Sequence, residues 1–197
     1  MTTVYLMRHS EPLKITNEKN SDSLQLQNEK LPLTRNGEKL AKKKSKRFKQ
    51  LDCIYSSNYV RAISTAKYFA KDKVYIVEDF AERKFGIEKW DELPNNFEKL
   101  QWDDFDYKLK NGESLNDVIK REYDGLLRIL DKHKNKKILI VGHATAFAAL
   151  FTKLCNIKNI EKYTFNDKVF FDGKWDFCET FKLVFDDTYN LISIENI

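Results

Sequence analysis

The stretch ILIVGHATAFAALFTKL, residues 138 to 154, limits the fold more than any other part of the chain. Four consecutive apolar residues, Ile138 to Val141, leave no polar face, so the strand they form must be covered on both sides. The alanine-rich segment that follows, Ala144 to Leu154, reads as a helix able to lie close against a sheet. A strand of that kind running into a helix belongs to a sheet with helices on each face. The pattern recurs. Val4 to Met7, Asp52 to Ser56 and Lys73 to Val77 read as strands, and the tail supplies two more, Glu179 to Phe185 and Leu191 to Glu195. Tyr59 to Ala70 reads as a helix with Ala62, Ala66 and Phe69 on one face. Ser114 caps a long helix to about His133, with Leu115, Val118, Ile119, Leu126, Leu127 and Leu130 at helical spacing. The expected fold is α/β: a three-layer sandwich with a mostly parallel central sheet flanked by helices. It is expected as a single domain over residues 1–197, with a loop and short-helix excursion at 78–112, the helix near Asn95 to Phe105.

Residues 13 to 30 are polar and lack periodicity, so they read as a long loop. Thr34 then caps a strongly basic helix: residues 39 to 49, KLAKKKSKRFK, hold seven cations and no acid. Leu40, Ala41, Ser45, Phe48 and Leu51 recur near helical spacing, which makes the cations the wet face of that helix. No reading motif for bases accompanies them, so no nucleic-acid partner is expected. No apolar run approaches the roughly 18 residues of a membrane span, and MTTVYLMRH lacks the features of a signal peptide. A cytosolic protein without a membrane partner is expected, monomeric or homodimeric. Cys53, Cys155 and Cys178 lie far apart in apolar contexts and read as buried, reduced thiols.

Two of the three histidines occupy equivalent places. His9 ends VYLMRH and His143 ends ILIVGH, each just past an apolar strand. In open α/β sheets ligands bind at the carboxyl ends of the strands. The strand DCIYSS leads to Arg61 early in its helix, and another leads to Glu82, so His9, Arg8, His143, Arg61 and Glu82 are expected around one crevice. The types suit phosphoryl chemistry. Two guanidiniums clamp a phosphoryl group and stabilise its spread-out charge. Nearby arginines disfavour imidazolium and keep a histidine nucleophilic. The helix starting at Ala144 offers free N–H groups to an anion, and a carboxylic acid can protonate a leaving oxygen. His133, in DKHKNKK, reads as structural or exposed. Three histidines without H-x-H, HExxH or a carboxylate cluster make a poor metal set.

In order along the chain, MRHS (7–10), Leu33-Thr34-x-x-Gly37, YSSNYVRAISTA (55–66), AERKFG (81–86), GESL (112–115) and VGHAT (141–145) resemble the motifs of the histidine phosphatase, or phosphoglycerate mutase-like, superfamily. The resemblance implies a phosphatase that hydrolyses a small phosphorylated metabolite through a phosphohistidine on His9. It also implies that Arg8, Arg61 and His143 bind phosphate, that Glu82 donates the proton, and that neither metal nor organic cofactor is needed. Ala144 is expected to assist phosphate binding, and Arg83 to meet further negative charge on the substrate. A mutase-type phosphotransferase and a non-catalytic phospho-ligand module are the alternatives. The chain departs from the family pattern at Ser10, where glycine is usual, at Pro12, where threonine is common, and at Ile15, where asparagine is common; Asn17 is off register.

Overall fold

The computed structural model describes residues 1–14, 22–158 and 161–197; Ile15 and Asn17 lie outside them. A central sheet has the order β3-β2-β4-β1-β8-β9, formed by β1 (Thr2–Arg8), β2 (Cys53–Ser56), β3 (Tyr75–Ile76), β4 (Lys137–Gly142), β8 (Thr180–Phe185) and β9 (Leu191–Asn196). β1 to β4 are mutually parallel, β8 pairs antiparallel with β1, and β9 pairs antiparallel with β8. The double-faced strand behaves as its sequence requires. Ile138 and Ile140 pack in one apolar cluster with Leu126, Ile129, Phe147 and Phe151 from α5 (Leu115–Lys132) and α6 (Ala144–Leu154). Leu139 and Val141 pack in another with Ala62 and Ala66 of α3 (Val60–Lys67) and Leu40 of α2 (Arg35–Ser45). Each fully buried Ile, Leu or Phe contributes about 2 kcal/mol, so the two faces jointly fix the layering.

The capping signals hold. The Thr34 side chain accepts the Gly37 N–H, and Ser114 forms a reciprocal capping box with Asp117. Other expectations change. Part of the presumed 13–30 loop is a helix, α1 (Leu24–Lys30), capped by Ser23; with Leu24 its only buried residue, it gives no apolar stripe to detect. The third strand shrinks to two residues, and α2 stops at Ser45, short of the end of the basic run. Residues 156–171, unassigned from sequence, form a second antiparallel sheet of β5 (Asn156–Lys158), β6 (Lys162–Phe165) and β7 (Lys168–Phe171). Asn166 and Asp167, both with positive φ, make the two-residue turn between β6 and β7. α4 (Phe97–Asp103) is the short helix expected in the 78–112 excursion. Among the described residues no helix is long and apolar enough to cross a membrane.

Candidate active site

Parallel register brings three strand ends level: Arg8 pairs with Gly142 and Ser56 with Val141. The residues that come next, His9, Ser57 and His143, therefore emerge together at one edge of the sheet. The His9 and His143 ring centroids lie 5.1 Å apart. Arg61, on the first turn of α3, reaches between them: its Nε donates to His9 Nε2 at 3.0 Å and its NH2 to His143 Nδ1 at 3.3 Å. His9, Arg61 and His143 are all buried.

These contacts define the tautomers. His9 Nδ1 lies 2.7 Å from the Ser10 carbonyl oxygen, which only accepts, so Nδ1 carries the proton and Nε2 a lone pair. An arginine cannot accept, so His143 Nδ1 is also unprotonated, and its Nε2–H donates to Ser57 Oγ at 2.8 Å. Burial and then the Arg61 charge hold the His9 imidazolium well below its usual range; the Ser10 hydrogen bond pulls the other way, and Arg8 adds a smaller push downward. His143 is depressed in the same direction by burial and then Arg61. Both depressions favour neutral rings.

Arg8 completes the cationic wall. Its guanidinium lies 4.6 Å from the Phe177 ring centre and donates to the Trp175 carbonyl, while its Nε is buried and unpartnered among the described residues. Burial lowers the pKa of both Arg8 and Arg61, and Glu82 is the first charge to oppose that in each. The Glu82 carboxyl is half-buried, and its charge bears on both guanidiniums. The N–H of Ala144 opens α6 directly after His143.

Arg83 behaves otherwise. Its guanidinium is turned inward, donating to Gln101 at 2.7 Å and Glu98 at 2.6 Å and lying over Phe85 and Phe97. It packs the excursion together rather than facing a substrate, a correction to the sequence reading. His133 also sits away from the site, hydrogen-bonded to Tyr55 and near Cys53. Cys53 and Cys155 are half-buried free thiols rather than fully buried ones.

Sequence reasoning passed over Ser57, Asn28, Trp175 and Phe177. Ser57 stood inside YSSNYVRA, where the spacing to Arg61 was its signal. Asn28 on α1 accepts from Arg61 NH1 through its backbone and side-chain oxygens, at 2.5 and 3.2 Å, and no motif announces it. Trp175 and Phe177 belong to the turn after β7.

Ser10 fits without strain. It keeps a negative φ, its Oγ donates to the Gly37 carbonyl at 2.7 Å, and its N–H donates to Thr65 Oγ1 at 2.9 Å. Gly37 in turn lies so close that a Cβ there would sit 2.2 Å from the Glu11 carbonyl oxygen. Gly37→Ala must therefore push the 9–12 segment away from α2. The expected outcome is about 2 kcal/mol lost in chemical denaturation and at least a tenfold lower kcat, whereas Ser10→Gly stays within about 1 kcal/mol of wild type. An active, equally stable Gly37→Ala protein would show that this contact does not hold the His9 loop.

A profile of the histidine phosphatase superfamily (branch 1) matches residues 4–167. The chain belongs to that superfamily. PhoE of Bacillus subtilis (strain 168), described as an uncharacterized phosphatase, is 30% identical over 159 residues, 78% of each chain. Among solved structures, the Entamoeba histolytica phosphoserine phosphatase in complex with 3-phosphoglyceric acid superposes with a TM-score of 0.71 at 23% identity, covering 100% of this chain and 98% of that one. YhfR of Bacillus stearothermophilus gives 0.69 at 24% identity, covering 98% and 96%. The structural likenesses carry the α/β fold.

Proposed function

We propose that this histidine phosphatase superfamily member hydrolyses a small phosphomonoester through a phosphohistidine on His9. The observation that carries the reading is the His9 ring: neutral, its proton fixed on Nδ1 by Ser10, its Nε2 lone pair accepting from Arg61 Nε beside the His143 ring. The phosphoryl group enters there and takes the donors of Arg61, the unpartnered Nε of Arg8 and the N–H of Ala144. As Arg61 NH2 turns from His143 Nδ1 to the phosphoryl oxygens, the added negative charge favours a proton from solvent on that nitrogen, which makes His143 a further donor.

His9 Nε2 then attacks phosphorus, the ester P–O bond breaks, and the departing oxygen takes the Glu82 proton, leaving an alcohol, phosphohistidine and a Glu82 carboxylate. Glu82 next removes a proton from water, whose oxygen attacks phosphorus. The P–N bond breaks, and inorganic phosphate leaves with His9 and Glu82 restored. The arginines supply fixed positive charge throughout a reaction that is extremely slow in water.

A rapid alkaline quench of the enzyme mixed with ³²P-labelled phosphomonoester is expected to trap label on the peptide containing His9, stable to base and labile to acid. Release of phosphate without a trapped intermediate in single-turnover conditions would direct the reaction straight to water and sink the covalent route. Transfer of label to a second alcohol in place of water would mark a mutase.

A further inference from the structure

The GESL motif takes no part in the chemistry above, yet its residues hold the backbone that follows the acid. Glu113 Oε1 accepts Arg121 Nε at 2.8 Å; its Oε2 accepts Arg121 NH2 at 3.0 Å and the Lys84 N–H at 2.9 Å. The Glu113 N–H donates to the Lys84 carbonyl at 2.9 Å. Arg121, one side of α5, spends its remaining donors on the carbonyls of Asp79, at 2.6 Å, and Glu82, at 3.4 Å. The backbone is thus tied to the start of α5 at positions 79, 82 and 84, on both sides of Glu82. Gly112 permits the approach: a Cβ there would lie 2.6 Å from the Phe85 carbonyl oxygen. The anchor is itself rigid, because Ser114 and Asp117 cap the same helix end reciprocally. The Glu82 carboxyl, by contrast, has one hydrogen bond among the described residues, from the adjacent Arg83 N–H at 2.9 Å. Its aim is set by its backbone.

We infer that the bidentate Glu113–Arg121 pair is a positioning device for Glu82, holding the proton donor where the leaving oxygen departs. The inference rests on the proposed role of Glu82 as general acid. A misplaced acid slows protonation of a leaving group without weakening phosphate binding or the nucleophile.

Leaving-group chemistry reads this directly. An alkoxide must be protonated as it departs, whereas 2,4-dinitrophenolate needs no proton. The measured quantity is kcat/KM, which counts only steps up to phosphoenzyme formation and so omits the later use of Glu82 on water. Glu113→Gln and Arg121→Met are each compared with wild type on 2-glycerophosphate and on 2,4-dinitrophenyl phosphate, with Glu82→Gln as reference. Circular dichroism melting confirms folding; Glu113→Gln preserves side-chain size and carries the test if Arg121→Met does not fold. The expected result is a loss on the alkyl ester of at least about tenfold with the aryl ester within about threefold, reproducing in weaker form the pattern of Glu82→Gln. Equal loss on both esters, or no loss on either, overturns the brace while leaving the acid role of Glu82 intact. If Glu82→Gln itself shows no preference between the esters, the acid role fails and the brace falls with it.

Discussion

His9→Ala is expected to lower kcat for phosphomonoester hydrolysis by about 10⁴-fold or more, equivalent to about 5.5 kcal/mol of transition-state stabilisation. The size follows from what the substitution leaves behind. On the proposed reading Arg8, Arg61 and Ala144 would still bind phosphate, so KM should move little. His143 does not replace it: on the proposed reading its Nδ1 takes a proton to become a phosphate donor, and its Nε2–H is spent on Ser57. Water would have to attack unaided. The substitution is also mild for the fold, because one wall of the ring's cavity is Arg61, a long side chain able to follow the smaller residue. A folded His9→Ala protein that keeps the wild-type rate would end the nucleophile assignment.

The same geometry fixes the direction of the pH dependence. His9 is held neutral by burial and by the charges of Arg61 and Arg8, so its ionisation lies well below the ordinary imidazole range. Nucleophile protonation should therefore not reduce kcat/KM as pH falls from about 7.5 to about 6, the span over which an unperturbed histidine would lose most of its activity. The cost appears in stability. A histidine whose folded pKa is depressed binds its proton preferentially in the unfolded chain. Stability is complete above the unfolded value of about 6.5 and falls below it, by up to about 1.4 kcal/mol per pH unit for each of His9 and His143. Loading the pocket with an anion opposes that loss by favouring charge on His143.

The placement of the candidate site was legible in the sequence because it sits where chain geometry leaves few choices. An apolar strand ending in histidine can place that residue only at a sheet edge, and two such strands in parallel place both histidines at the same edge. Arg61 was legible through its spacing from the end of β2. The misses share a different cause. Arg83 is an arginine next to the acid in sequence, and sequence does not say which way it turns; Glu98, Gln101 and two aromatic faces draw it inward. α1 is one short helix whose partners, Arg61 and Tyr59, lie more than thirty residues away, so nothing local foretells Asn28 or Gln25 contacting them. The β5–β7 sheet was hidden by its short strands, though the Asn166-Asp167 turn was written in plain residues. Ser10 was the reverse case: the family's glycine suggests a need for conformational freedom, yet the local φ is negative and a serine hydroxyl finds the Gly37 carbonyl.

Glu122→Met is expected to raise the stability of the protein at pH 7 by about 2 kcal/mol, with a melting temperature higher by about 5 °C. Glu122 lies on the buried stripe of α5 between Val118 and Leu126, fully inaccessible, and neither carboxyl oxygen has a hydrogen-bond partner among the described residues. Burial pushes its pKa well above the ordinary carboxyl range; Arg121 opposes this, while Glu82, Glu113 and Asp79 add to it. The folded group therefore keeps its proton to a higher pH than the unfolded one. In the unfolded chain it ionises above about 4.5, so as pH rises past that value the unfolded state gains about 1.4 kcal/mol per pH unit over the folded one until the folded group also ionises. Methionine has similar length and no polar atom to leave unpaired, so it removes both penalties. Its advantage over wild type should therefore widen between pH 4.5 and pH 7, which urea denaturation at the two values measures. Glu122→Gln separates the contributions: it abolishes the proton linkage but keeps an unpartnered polar group, so it should fall between the other two proteins at pH 7. A Met variant with the same advantage at both pH values would mean that Glu122 does not change its protonation on unfolding. A less stable Met variant would mean that the carboxyl has a partner in solution that offsets its burial.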